Sequence, residues 1–478
     1  MLKVDFDSKR GKGIIFGDRV PEIREYFSVE NPAAKFNRSF YIPKRLYCIA
    51  PNGLFDIGIC NEINSFLEKK GYSDRIEYTE EAKKELFPKL GKSLIQRLAL
   101  DLRDYQIDAV TKCLEHGRGL AVMGTGAGKT LTIATLIENY YLYSEELKKF
   151  KCLVIVPDLG LVNQTYTDFV SYKSSFSVSR WTGSIKPDFS CNVIIANIDI
   201  IRSKFEQNHW ITDVDLLIID EAHKFGKGNK SSKLIEKIKT PNKYGFTGTL
   251  PDDNLDKWNV IGKIGPVLVE KNSHELREEK FLTTVHVNMI KLSYNDVPAR
   301  IVNSGNPTDD YYNELIFISN NPFRNKVIQT TCNNFNNNIL ILINNIDHGQ
   351  HLYDLFSTNL KNKQVFFIKG DVAVDDRDKV KAIMESTNNV VCIAVSAIFS
   401  TGVNIKNIHM IIFAAGGKSF IRTVQSIGRG LRLNDNKEEL KIIDISDNLQ
   451  YGKVHSSKRK EIYDNEKISY SEHIIKEK

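Results

Sequence analysis

The sequence predicts an α/β protein with two tandem parallel sheets flanked by helices and a small α+β module at its amino end. Three observations carry this expectation. The apolar runs CLVIVP, NVIIAN and DLLIID, then NILILIN, QVFFIKG, NVVCIAV, MIIFAA and KIIDIS, are continuous, without the polar alternation of a half-exposed sheet. Strands that bury both faces read this way, which is the pattern of parallel sheets covered by helices. Mixed segments of helical length separate the runs, as crossover connections between parallel strands require. The residues before position 99 lack such runs altogether.

Taken in order, residues 1–98 read as an accessory module rich in aromatics, in which EINSFLEKKGY (62–72) has the spacing of an amphipathic helix stopped by Gly71. Residues 99–270 hold the first set of strand runs, ending at VLVE (267–270). Residues 271–452 hold the second set, after a mixed stretch whose YNDVPARIVNSGNPTDD reads as loop from its Asn, Gly, Pro and Asp. The asparagine run NNFNNN (333–338) also reads as loop. Residues 453–478 are polar and read as a helix or a mobile tail.

Composition narrows the class. A chain of 478 residues exceeds one ordinary core, and 41% hydrophobic with 26% charged residues is a globular balance. No apolar run reaches membrane-spanning length, and MLKVDFDSKR has no secretory pattern, so no membrane role and a cytoplasmic location are expected. The seven cysteines are scattered without zinc-ligand spacing, which makes reduced thiols the expectation. A net charge of +7 is compatible with a polyanionic partner and does not establish one.

Chemistry concentrates in two stretches. In MGTGAGKT (123–130) a glycine-rich turn lies between a strand-like and a helix-like segment. Backbone N–H groups of Gly124, Thr125, Gly126, Ala127 and Gly128 would then converge beside the positive end of a helix, where phosphate oxygens fit. Lys129 would meet the β and γ phosphates of ATP, and the Thr130 hydroxyl would ligate Mg²⁺. Met123 replaces the first glycine of the strict pattern. In DLLIIDEAH (215–223) a buried run ends in two carboxylates. Asp220 would hold Mg²⁺ and Glu221 would take a proton from the attacking water. A strand that simply ends in a charged loop is the plain alternative, and the phosphate loop upstream argues against it. His223 reads as a satisfied loop histidine and not as a metal ligand.

LRDYQ (102–106), GTGAGKT, VIVPDLGLVNQ (154–164), TGS (182–184), DEAH, TGT (247–249), SAIFSTGVNI (396–405) and QSIGRGLR (425–432) together resemble the ordered motifs of superfamily 2 helicases. The resemblance implies two tandem RecA-like domains that use ATP. It also implies roles. Arg429 and Arg432 match arginine fingers, and Gln425, which shares their face if the segment is helical, matches a contact to nucleotide or water. Gln106 matches the residue that reads adenine, and Gly402 and Asn404 match a nucleotide-side loop in which many relatives carry Asp at the second position. Thr247 and Thr249 match the motif coupling hydrolysis to domain movement. Pro157, Thr182, Gly183 and Ser396 match positions that touch nucleic-acid phosphates, contacts that carry affinity without sequence information.

KFNRSFYIPKRLY (35–47) interleaves basic and aromatic residues. Arg38, Lys44 and Arg45 are expected to contact DNA, while the aromatics fit a small core better than base stacking. This stretch, with NGLFDIGICNEINSFLEKKGY and FSTGVNIKNIHMIIFAAGGKS, also resembles UvsW-type phage helicases. That resemblance implies remodelling of forked, junction or other branched DNA, RNA contact within R-loops, a host-cytoplasmic location if phage-encoded, and a monomer or weak oligomer. An RNA helicase, or a duplex translocase serving a separate nuclease, remains open on the motor motifs alone.

Overall fold

The computed structural model describes residues 1–36, 42–88, 94–124, 126–146, 149–226, 230–279, 281, 284–298, 301, 306–369, 374–396, 407–415 and 439–478. The chain divides into two compact units, Met1–Asn272 and Ser273–Lys478.

The first unit begins with β1 (Leu2–Asp7), β2 (Lys12–Phe16), β3 (Ser28–Glu30), β4 (Arg45–Tyr47), β5 (Leu54–Phe55) and β6 (Ile76–Tyr78). Four of them make a small sheet in the order β5-β2-β1-β6, and β3 pairs with β4 alone. The helix Cys60–Lys69 stops where Gly71 takes a left-handed φ of 71° and Tyr72 N bonds back to Leu67 O at 3.0 Å.

Its main sheet contains β7 (Gly119–Met123), β8 (Cys152–Val156), β9 (Val178–Trp181), β10 (Val193–Asn197), β11 (Leu216–Asp220), β12 (Lys243–Thr247) and β13 (Val267–Lys271). The order is β13-β7-β12-β11-β8-β10-β9, with every pairing parallel. Every residue of β7, β8, β10, β11 and β12 is buried, the packing consequence of their unbroken apolar runs. The amino-terminal segment, expected as a separate module, shares one continuous apolar core with this sheet, from Ile23, Phe27 and Ile63 through Leu153, Ile219 and Ile261. Glycines make that closeness feasible: a Cβ on Gly58 would stand 2.2 Å from Ile261 O.

The second unit carries β14 (Thr284–Ser293), β15 (Ile339–Ile343), β16 (Gln364–Ile368), β17 (Val390–Val395), β18 (Met410–Phe413), β19 (Glu439–Asp447) and β20 (Ser469–Lys476). They form a second all-parallel sheet in the order β16-β17-β15-β18-β19-β14-β20. Asn338, last of the asparagine run, is buried. Its amide donates to Met384 O and Thr387 O, both at 2.7 Å, and accepts from Val390 N at 2.9 Å.

One expectation for this unit needs correction and another is narrowed. The stretch read as mixed after residue 270 supplies β14, whose burial alternates instead of running unbroken, and helices Pro307–Asn320 and Pro322–Asn333. The NPTDD end of the expected loop thus enters a helix, with Pro307 at its first position, where a missing N–H costs nothing. For residues 453–478 the helix reading holds through Asn465, and the rest adds a strand where a mobile tail was the alternative. The helix Gln450–Asn465 buries Arg459 and Tyr463 against Asp444 of β19, and β20 then pairs with β14 at the sheet edge. A buried carboxylate that needs partners and a strand edge that needs hydrogen bonds recruit this polar sequence.

Candidate functional site

In the first main sheet β7, β12 and β11 are neighbours, so the segments leaving their carboxyl ends lie side by side. Those segments are the glycine loop, TGT and DEAH. The carboxyl edge of a parallel sheet is where α/β proteins bind ligands, because loops and helix N-termini gather there.

The loop turns through two left-handed glycines, Gly126 (φ 85°) and Gly128 (φ 74°), before the helix Lys129–Tyr143. A side chain at 128 would collide with Gln106, since a Cβ there would stand 2.3 Å from its Nε2. Lys129 is buried and its Nζ donates to Met123 O at 3.2 Å, a backbone acceptor it can exchange for a phosphate oxygen. Thr130 follows, half-buried in the first turn. Thr125 lies outside the described residues.

Gln106, expected to read adenine, is hydrogen-bonded at both ends of its amide within the chain. Its Nε2 donates to Ala127 O at 2.9 Å and its Oε1 accepts from Arg103 N at 2.9 Å, so the amide braces the glycine loop. Tyr105 adds a second bond to Ala127 O at 3.0 Å. Sequence reading singled out Gln106 and passed over Tyr105, although both stand in LRDYQ.

Asp220 is buried at the end of β11 and accepts from Glu221 N at 2.9 Å. Glu221 itself has a φ of 51°, a left-handed conformation that strains a residue with a Cβ. Its Oε2 lies 3.4 Å from His223 Nδ1, which is 2.8 Å from Thr247 Oγ1. Thr247 in turn donates to Thr249 O at 2.8 Å. A hydroxyl has one proton to give, so the proton shared with His223 belongs on Nδ1. His223, read from sequence as a satisfied loop histidine, is satisfied by bridging DEAH to TGT, a link that follows from the adjacency of β11 and β12 and has no signal in the sequence.

Among the described residues no group of three or more His, Cys, Asp or Glu forms a metal cage. The oxygen donors of Thr130 and Asp220 suit a magnesium ion carried on a nucleotide, since such an ion keeps water and phosphate ligands and needs one or two from protein.

Pro157, Thr182 and Gly183 follow β8 and β9, on the other half of the same edge. Thr182 is buried and its Oγ1 accepts from Ile185 N at 3.0 Å, whereas a Cβ on Gly183 would meet nothing within 4 Å. In the small sheet region Arg45 is held by Ser28 Oγ at 2.8 Å and by Glu25 at 3.1 Å, while Lys44 is exposed. Tyr47 lies under the guanidinium of Arg24, 3.6 Å from its ring centre. In the second unit Ser396, at the end of β17, donates to Ile343 O at 2.9 Å. Arg38, Gly402, Asn404, Gln425, Arg429 and Arg432 lie outside the described residues.

The seven cysteines are free thiols. Burial pushes Cys113 and Cys392 up to about 12, which leaves them protonated and inert. No described helix is long and apolar enough to cross a membrane.

Comparison with known proteins agrees with this arrangement. Residues 99–252 match the family described as "Type III restriction enzyme, res subunit", and residues 323–434 match "Helicase conserved C-terminal domain". The chain is 27% identical over 448 residues to the ATP-dependent DNA helicase uvsW of Enterobacteria phage T4, covering 89% of this chain and 86% of that protein. It is 26% identical over 368 residues to the putative ATP-dependent helicase IRC3 of Saccharomyces cerevisiae, covering 72% of this chain and 51% of that one, so it spans about half of IRC3. The fold is shared with the ATP-dependent Type ISP restriction-modification enzyme LlaBIII, at a TM-score of 0.57 and 16% identity over 87% of this chain and 36% of that one. With tandem RecA-like sheets and both helicase regions matched in order, the chain belongs to the superfamily 2 helicases and is an ATP-hydrolysing enzyme of that kind.

Proposed function

We propose that this helicase acts on DNA and remodels branched structures: it regresses forks, migrates Holliday junctions and dissolves D-loops or R-loops. The observation that carries the reading is the reach of the likeness to the T4 helicase. At 89% of the chain it extends beyond residues 99–434, the span of the two motor matches, into the accessory segments.

For hydrolysis, Lys129 leaves Met123 O for the β and γ phosphates, and the N–H groups at the start of the helix Lys129–Tyr143 meet phosphate oxygens. Thr130 and Asp220 would hold magnesium, which neutralises phosphate charge when bound. Glu221 accepts the proton of the attacking water at its carboxylate, oriented by His223. The bonds from His223 through Thr247 to Thr249 carry the state of the hydrolytic residues into the segment after β12. Pro157 and Gly183 offer positions for backbone phosphates away from the nucleotide.

The test is ATP-driven strand separation by the full chain on forks, four-way junctions, R-loops and tailed duplexes, with ATPase measured beside it. Branched DNA is expected to be processed faster than tailed duplex and to stimulate ATPase more than single-stranded RNA. The reverse order of stimulation would make the chain an RNA helicase. The match to a restriction-enzyme subunit favours a second reading, a duplex translocase serving a nuclease. DNA-stimulated ATPase without strand separation or branch movement would establish that alternative.

A further inference from the structure

Where the amino-terminal segment meets the first main sheet, four charged side chains close into a ring. Lys12 Nζ lies 2.5 Å from Asp56 Oδ1 and 3.0 Å from Glu236 Oε2. Lys263 Nζ lies 3.0 Å from Asp56 Oδ2 and 3.3 Å from Glu236 Oε1. Each ammonium thus bridges both carboxylates, and each carboxylate divides its oxygens between both ammoniums. Burial works against the charge on Asp56, but Lys263 and Lys12 outweigh it and hold the carboxyl below its ordinary range.

The sequence positions of the four members give the ring a meaning beyond cohesion. Lys12 and Asp56 come from the accessory segment, at the start of β2 and just after β5. Glu236 lies on the helix Lys230–Lys237, the next helix after the DEAH turn, and Lys263 on Asn254–Ile264, the next helix after TGT. These two follow-on segments also lock to each other. Asn259 Nδ2 donates to Gly226 O at 3.1 Å, and a Cβ on Gly226 would stand 2.6 Å from Asp256 O. On the accessory side a Cβ on Gly262 would stand 2.6 Å from Asp56 Cβ, and the Trp258 ring packs edge-on against Phe27 with centres 5.0 Å apart.

Ordinary adhesion between segments needs only apolar contact, which the shared core already supplies. A closed ring of paired charges instead fixes one register, because any slip leaves a charge with half its partners in a partly desolvated place. We propose that Lys12 and Asp56 are positioning residues for ATP hydrolysis: through Glu236 and Lys263 the accessory segment sets the DEAH and TGT segments in their working register. The inference rests on the roles given above to Glu221, His223, Thr247 and Thr249. Those groups must hold their geometry closely, since a shift of about 1 Å at a reacting centre costs on the order of 10²-fold in rate.

The experiment compares Lys12→Met, Asp56→Asn, the double variant and Lys12→Arg in the full chain. Steady-state ATPase with saturating forked DNA is expressed per nucleotide-binding site, with KM for ATP and thermal unfolding measured alongside. Each single neutralisation is expected to lower kcat about tenfold while KM stays within about twofold. The double variant should lose little more than either single one, and Lys12→Arg should retain most of kcat, because the ring acts as one unit. A lower unfolding temperature with unchanged kcat would overturn the proposal and leave the ring merely structural. Should Asp56→Asn fail to fold, Lys12→Met decides alone, since Lys12 is 26% exposed against 18% for Asp56. Glu221→Gln, run in the same assay, separates the two layers. If it turns over normally, the assignment of the site fails; if it is dead while the ring variants keep full kcat, the ring inference fails.

Discussion

The carboxyl edges of the two main sheets are built on one plan and spend their charges differently. At the first edge Lys129 rests on a backbone carbonyl, Asp220 stands buried at a strand end, and Glu221 holds a strained left-handed backbone. At the second edge, among the described residues, opposite charges pair, although Arg324 Nη1 is buried without a hydrogen-bond partner. Arg324, with no exposed surface, donates to Asp447 Oδ1 at 2.9 Å and to Ala414 O at 3.0 Å, and Tyr294 gives its hydroxyl proton to the same carboxylate at 2.5 Å. Among the described residues the other left-handed non-glycine positions are Lys173, Asn362, Asn389 and Lys467, which precede β9, β16, β17 and β20 in turns; two are asparagines, which tolerate that conformation. Glu221 instead follows the end of β11. A strained, acidic residue at the carboxyl edge of a parallel sheet marks a candidate site, whereas the Arg324–Asp447 pair holds the second sheet to its helix.

The sharpest way to break this contrast is Glu221→Gln. Turnover should fall by about 10²- to 10⁴-fold with nucleotide binding retained, as loss of a general base predicts. ATPase together with fluorescent-nucleotide titration measures both, and near-normal hydrolysis would remove Glu221 from the role its strained backbone suggests. Next in size is Asp447→Asn, which strands the Arg324 charge in the interior. A loss of about 3–5 kcal/mol is expected in denaturant unfolding of the second unit's signal. A loss below about 1 kcal/mol, the range of exposed pairs, would show that this edge does not depend on its pairing.

The smallest effect concerns Lys243, buried at the opposite end of β12. Burial, helped by Arg118, pushes its amine down to about 8. Lys243→Met should therefore stabilise the chain at neutral pH, by about 1–3 kcal/mol. The pH dependence has a definite sign. Between about 8 and the ordinary 10.5 the unfolded chain keeps a proton that the folded chain has lost, so this group makes stability rise with pH across that window. The variant should lack that increment, and its advantage over the parent should shrink from pH 8 to pH 10. An advantage independent of pH would assign the gain to packing instead.

Much of this was legible before any coordinates. Continuous runs of Val, Ile and Leu announce buried strands because a parallel strand has no solvent face, and glycines 126 and 128 announce a left-handed turn because other residues resist it. The order of the motifs was equally plain. β14 escaped because its buried positions alternate, and β20 because an exposed edge strand needs no apolar run. A helix was legible at Gln450–Asn465, but its docking was not, because its reason to dock, the carboxylate of Asp444, lies on a different strand.

By itself, then, the sequence determined the period of the buried strands, the turn chemistry of the glycine loop and the identity of the groups proposed to meet a nucleotide. Only the tertiary structure decided which strands are neighbours, and with that the bond from His223 to Thr247, the brace of Gln106 on Ala127, and the ring that joins Lys12 and Asp56 to Glu236 and Lys263. The physical reason is range. Backbone conformation and burial period are written in residues a few positions apart, whereas an ion pair across more than two hundred residues exists only after the chain has paid the entropy of bringing them together.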